Sequence, residues 1–152
     1  MSQAIRFHFK TGEFGFLSNF AHYPITIDGM EWPTSEHYYQ ASKFINDPAG
    51  MEAIRTVIRH HYDAWRMGHS PEHVHRQDLD EVKDDVMLRA LRAKFAQNAV
   101  VRSALLATDE AILVEHSPKD NYWGDGGDGS GRNRLGQLLM QVRLELQQIE
   151  SV

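Results

Sequence analysis

The sequence predicts an α+β fold, mostly helical, with a few short strands. Three observations point there. The C-terminal half carries long apolar stripes at helical spacing. The N-terminal third carries short β-rich runs separated by turn residues. The chain has 152 residues with 41% apolar content, which fits one globular domain, residues 1–152, with a buried core.

Taken in order, residues 4–9, AIRFHF, alternate and read as a strand. TGEFGFLSNF, 11–20, reads as a glycine-bearing loop. Residues 23–32, YPITIDGMEW, read as a hairpin with Asp28-Gly29 as its turn. Pro33, Thr34 and Ser35 announce a helix that should run to Asn46, where Asp47-Pro48 breaks it. A second helix is expected over 49–61, followed by an irregular polar stretch over 62–77. From Asp78 the pattern is helical, with a stripe of Leu79, Val82, Val86, Ala90 and Ala93, widened by Met87, Leu91 and Phe95. Another helix is expected over 99–107 and a buried strand over 111–115. A glycine-rich loop, SPKDNYWGDGGDGSGRN, leads to a final amphipathic helix marked by Leu135, Leu138, Leu139, Val142, Leu146 and Ile149.

Composition narrows the function. The net charge is −5, without a polybasic tract, which argues against a general nucleic-acid coat but leaves room for a single-nucleotide pocket. There is no cysteine, so disulfides, thiolate catalysis and cysteine-rich zinc sites are excluded. MSQAIRFHFK does not resemble a signal peptide, and no apolar run approaches the ~20 residues of a membrane span, so a cytoplasmic protein is expected.

Two stretches hold the candidate chemistry. In WPTSEHYYQASKF, 32–44, helical geometry puts Glu36, Gln40 and Lys43 within about 60° of arc. Tyr38, Ala41 and Ile45 lie opposite and should face the core, with Tyr39 flanking the polar stripe. The stripe reads either as a solvated helix face or as a site. In the second case a carboxylate activates water or steadies positive charge, and a desolvated lysine attacks a masked carbonyl.

The other stretch is WGDGGDGSGRNRLG, 123–136. Gly124, Gly126 and Gly129 spell G-x-G-x-x-G, but no βαβ context surrounds them, so a Rossmann site is rejected. The acid spacing fits no calcium loop. A flexible surface loop remains possible on this pattern. So does a ligand loop, in which glycines admit close approach, Trp123 stacks a base, Arg132 and Arg134 add charge, and the N–H groups opening the final helix favour an anion. Histidines 60, 61, 69, 73 and 75 read as surface residues, because Pro71 interrupts any helical ligand spacing. Arg89, Arg92 and Lys94 are expected on the solvated side of the long helix, with a cleft-facing Lys94 as the alternative that nothing in the sequence forces.

Taken together, GFLSNF (15–20), WPTSEHYYQASKF, WRMG (65–68), VMLRALRAKF (86–95), LLATDEAILVEHSPKDNYWGDG (105–126) and GRNRLGQLLM (131–140) resemble the NADAR, or YbiA-like, family over nearly the whole chain. The resemblance implies a mostly helical α+β fold and N-glycosidase activity. It implies substrates with ribose C1 bonded to an exocyclic amine: riboflavin-pathway ribosylamino-pyrimidine phosphates, or ADP-ribosylated guanine, free or within nucleic acid. It implies catalytic roles for Glu36, Lys43 and Asp125, and substrate contacts from Asn19, Gln40, Arg66, Gly68, Asp120, Trp123, Gly124 and Asn133. One departure is Leu79, where relatives acting on riboflavin intermediates can carry a tryptophan; that bears on substrate choice. Two routes stay open at this stage. In one, Glu36 activates water while Asp125 or Asp120 protonates the leaving amine; in the other, Lys43 forms a Schiff base with the ring-opened sugar. Neither needs a metal or cofactor, and EDTA should leave activity intact. A non-catalytic ADP-ribose or nucleotide-binding module is the competing reading.

Overall fold

The computed structural model describes residues 3–57, 62–71 and 74–151. Its elements are β1 (Ala4–Phe7), β2 (Ile25–Ile27), β3 (Met30–Trp32), α1 (Ser35–Ser42), α2 (Pro48–Thr56), α3 (Asp63–Gly68), α4 (Leu79–Gln97), α5 (Ala99–Ala107), β4 (Ile112–Glu115) and α6 (Arg134–Glu150). The class is α+β, as the sequence predicts. The chain divides into two compact units, Met1–Ala21 with Asn98–Val152, and His22–Gln97.

In the unit His22–Gln97, β2 and β3 form the expected hairpin, with Ile27 opposite Met30. Asp28 and Gly29 both have positive φ, 54° and 78°, as a two-residue turn matched to strand twist requires. Ile25 and Ile27 point inward and Thr26 outward. Beyond the hairpin, Gln97 at the end of α4 brackets the Thr26 backbone, donating to its carbonyl and accepting from its N–H, both at 2.8 Å. Ile25, Ile27, Trp32, Ala41, Phe44, Ile54, Ala64 and Ala90 make the core of this unit.

In the other unit, β1 and β4 pair in parallel, Ala4 with Ile112 through Phe7 with Glu115. Helix α6 lies on β4. Gly136 allows this, since a Cβ there would stand 2.1 Å from the Leu113 carbonyl oxygen. Val101, Leu105, Leu113, Leu135, Leu138, Leu139 and Val142 are buried.

Several expectations need correction. The stretch 62–77 is not wholly irregular: it contains α3, whose buried stripe is only Ala64 and Gly68. Helix α1 ends at Ser42 and continues as turns to Asn46. Helix α2 is assigned to Thr56, and the expected extension over 58–61 lies outside the described residues. Ile45 is 50% exposed rather than facing the core, and Ile149 is 69% exposed. Most consequential is Lys94, expected on a solvated face but fully buried. It follows Ala90 and Leu91 at i+4 and i+3 on the apolar stripe, so the helix carries it inward.

Candidate active site

Thr34 opens α1. Its Oγ1 accepts the His37 N–H at 3.1 Å and lies 2.7 Å from His37 Nδ1. His37 Nε2 donates to the Val57 carbonyl at 2.6 Å. The ring is therefore the Nε2–H tautomer, Nδ1 accepts from the Thr34 hydroxyl, and the start of α1 is tied to the end of α2. Burial holds the His37 pKa below its usual value, against the carbonyl hydrogen bond, so the neutral ring is favoured.

The polar stripe of α1 is not a solvated face. Glu36 and Lys43 are each 6% exposed and Gln40 is 2% exposed. Gln40 Nε2 donates to Glu36 Oε1 at 2.7 Å, one helical turn away. That bond assigns the Gln40 amide, since only the NH2 end can donate to a carboxylate. Its Oε1 is buried and has no hydrogen-bond partner among the described residues. Lys43 stands at the C-terminal cap of α1, its Nζ 5.6 Å from the Tyr39 ring centroid. Burial lowers the Lys43 pKa, and the Glu36 charge only partly opposes this. A buried carboxylate, an amide that orients it and an amine biased toward its neutral form thus share one short helix.

Gly68 explains how Gln40 is seated. A Cβ at position 68 would lie 2.0 Å from Gln40 Oε1 and 2.9 Å from its Cβ. The backbone of α3 therefore covers the amide directly. Arg66, on the same helix, is 59% exposed in its side chain and pairs with Asp63 at 2.8 Å.

The remaining predicted residues lie in the other unit. Asn19 is 6% exposed, just past a 3-10 turn at Gly15–Leu17. The glycine-rich loop is closely hydrogen-bonded to itself. Asp120 Oδ1 accepts from the N–H groups of Tyr122 and Trp123, at 2.9 and 2.8 Å. Asn133, in the left-handed region at φ 51°, acts as an extra strand for β4. Its Oδ1 accepts the Glu115 N–H at 3.0 Å and its Nδ2 donates to the Leu113 carbonyl at 2.9 Å. The N–H groups expected to favour an anion are already used: those of Asn133, Arg134 and Leu135 donate to the carbonyls of Gly124, Tyr122 and Trp123. These three N–H groups are therefore not free for an anion. Gly124, Gly127 and Gly131 serve close packing of the loop; a Cβ at Gly131 would stand 2.6 Å from the Gly124 carbonyl oxygen. Trp123 is half-buried, edge-on to Tyr122 at 4.9 Å, and the Arg132 guanidinium lies 5.1 Å from the Tyr122 ring centroid.

Asp125 is 5% exposed, and both its oxygens are engaged. Oδ1 accepts the Gly127 N–H and Oδ2 meets His116 Nδ1, each at 2.8 Å. Burial pushes its pKa up, but the hydrogen bonds from His116 and Gly127 outweigh this and hold it below the usual value. A carboxylate kept ionised in this way is a poor proton donor.

Sequence reasoning missed His116, His37 and Lys94. Lys94 alone left a clear signal, its place on the apolar stripe. Of the histidine group, 60, 61 and 73 lie outside the described residues. His69 is exposed, and His75 is half-buried and edge-on to Phe44 at 4.9 Å. Among the described residues, no group of three or more metal-ligating side chains is placed to hold an ion.

The architecture agrees with what comparison with known proteins returns. The chain belongs to the NADAR domain family, which matches residues 6–147. The N-glycosidase YbiA of Escherichia coli K12 is 51% identical over 142 residues, covering 93% of this chain and 88% of that one. An N-glycosidase of Nostoc punctiforme is 38% identical over 141 residues, covering 91% and 90%. A riboflavin biosynthesis protein of Vibrio vulnificus is 43% identical over 148 residues, 97% of this chain but 40% of that longer protein. The NMR structure of E. coli YbiA superposes with a TM-score of 0.88 at 48% identity, covering 99% of this chain and 89% of that one. These relatives make the enzyme class a hydrolase acting on N-glycosyl bonds. Among the described residues, no helix is long and apolar enough to cross a membrane.

Proposed function

We propose that the protein hydrolyses the bond between ribose C1 and an exocyclic amine of a heteroaromatic base, with Glu36 and Lys43 as its reactive groups. The observation that carries this is the burial on α1 of the carboxylate, its orienting amide and the amine. Solvent-facing residues of these types need no such environment; groups meant to react do. Two relatives named as riboflavin biosynthesis proteins favour ribosylamino-pyrimidine phosphates as the first substrate to try. ADP-ribosylated guanine carries the same C1-to-exocyclic-nitrogen bond and is the second.

A glycosylamine of this kind opens to an imine between C1 and the exocyclic nitrogen. Unprotonated Lys43 adds to C1. The bond from C1 to the base nitrogen then breaks, and its electron pair leaves with that nitrogen. Both protons of the Lys43 amine pass to the same nitrogen, one as the amine adds and one as the bond breaks, so the base departs as a neutral amine. Water next adds to the Lys43 imine, releasing the sugar as its aldehyde and restoring the amine. Glu36 takes a proton from the attacking water and returns it to the departing lysine nitrogen. The lowered Lys43 pKa supports this route, because it raises the neutral fraction at neutral pH. Asp125 has no acid role in it.

The test is incubation of the purified protein with each substrate and mass detection of free base and free sugar. Turnover of either one, reduced by Glu36→Gln and by Lys43→Ala, is expected. Intact substrates at high enzyme concentration, with ligand still bound, would replace the glycosidase with a binding module.

A further inference from the structure

Helix α3 has a second stripe that the reaction leaves unused. Ala64 and Gly68 are its buried residues. Trp65 and His69 each follow one residue later, so their stripe is turned by about 100° around the helix. Trp65 is 44% exposed. Its ring stacks on His69, with centroids 4.1 Å apart and planes 25° from parallel. His69 is itself anchored, its Nδ1 donating to the Trp65 carbonyl at 2.8 Å. The indole is thus a braced flat surface rather than a loose surface side chain. Arg66 adds an exposed cation on the same short helix.

An exposed indole held flat gains most from a ligand with a π face, and an aliphatic ligand gains no alignment from it. The same helix, through Gly68, seats the Gln40 amide that orients Glu36. A ring bound on the Trp65 stripe therefore lies on the helix that sets the reactive cluster.

We propose that Trp65, braced by His69, is the stacking platform for the heteroaromatic base of the substrate and determines specificity for that base. This rests on the glycosidase reading in naming the ring as the amine-bearing one. Guanosine monophosphate serves as the probe with a ring and ribose 5-phosphate as the probe without one. Calorimetric titration would compare wild type, Trp65→Phe and Trp65→Ala, and steady-state kinetics would follow the ribosylamino-pyrimidine phosphate. Trp65→Ala is expected to weaken guanosine monophosphate binding by about tenfold or more, on the scale of one base–aromatic stack. Ribose 5-phosphate binding should not change, and Trp65→Phe should keep most of the affinity. In turnover, the loss should fall on KM rather than kcat. Equal guanosine monophosphate binding by wild type and Trp65→Ala overturns the platform, as does no binding by wild type. Turnover with a KM indifferent to Trp65 removes the platform and leaves the glycosidase standing. Trp65-dependent binding without any turnover does the reverse.

Discussion

Replacing Lys94 by methionine should stabilise the protein at neutral pH and flatten its stability-versus-pH curve. The Lys94 side chain is fully buried, its Nζ 5.7 Å from the Tyr23 ring centroid and 5.2 Å from that of Phe95. Burial moves its pKa from 10.5 to about 7. At about 1.4 kcal/mol per pH unit, a displacement of this size costs roughly 5 kcal/mol when the amine must be charged in both states. Between the two pKa values the unfolded chain binds a proton that the folded chain lacks, so stability rises with pH across that window. The penalty is about 4 kcal/mol at pH 7 and about 2 kcal/mol at pH 9. Urea unfolding at both pH values measures the difference. Wild type should gain about 2 kcal/mol from pH 7 to 9, and Lys94→Met should lose this gain while being the more stable protein at pH 7. Parallel curves for the two proteins would refute the burial cost assigned to this lysine.

Other expectations follow from the same geometry. Gly68→Ala forces Gln40 away from Glu36 and should lower turnover along with about 1–3 kcal/mol of stability. Adding Gln40→Ala should recover the stability but not the turnover. Asn133→Ala leaves the Glu115 N–H and the Leu113 carbonyl without their side-chain partner and should cost about 2–3 kcal/mol in urea unfolding. Because the Asp125 pKa is lowered in the folded state, its contribution is present above the unfolded carboxylate value and lost as pH falls through the folded one. Acid titration of Asp125→Asn, followed by circular dichroism, should lack that part of the wild-type decline.

Much of the fold was legible because hydrophobic period and turn chemistry agree locally. The Asp28-Gly29 turn, the stripe of α4 and the leucines of α6 are examples, each decided by near neighbours in sequence. Helix α3 was not legible, since a six-residue helix with Ala64 and Gly68 as its inward face offers no apolar period. Helix α1 left two readings open for a different reason. Ser35, Glu36, His37, Tyr39, Gln40, Ala41 and Ser42 are all buried, so it has no solvent face for its polar residues to mark. A pattern that equates polar with exposed fails on a helix buried on every side. The glycine loop was ambiguous for a third reason. Glycine spacing alone does not show which N–H groups the loop uses on itself, such as the Asn133 N–H that donates to the Gly124 carbonyl.

Cyanoborohydride reduction during turnover of the ribosylamino-pyrimidine phosphate, followed by peptide mass mapping, tests the role of the buried α1 amine most directly. The expected result is a reduced sugar phosphate fixed on Lys43, absent from Lys43→Ala. Cleaved substrate with no adduct, or an adduct on a different lysine, would contradict it.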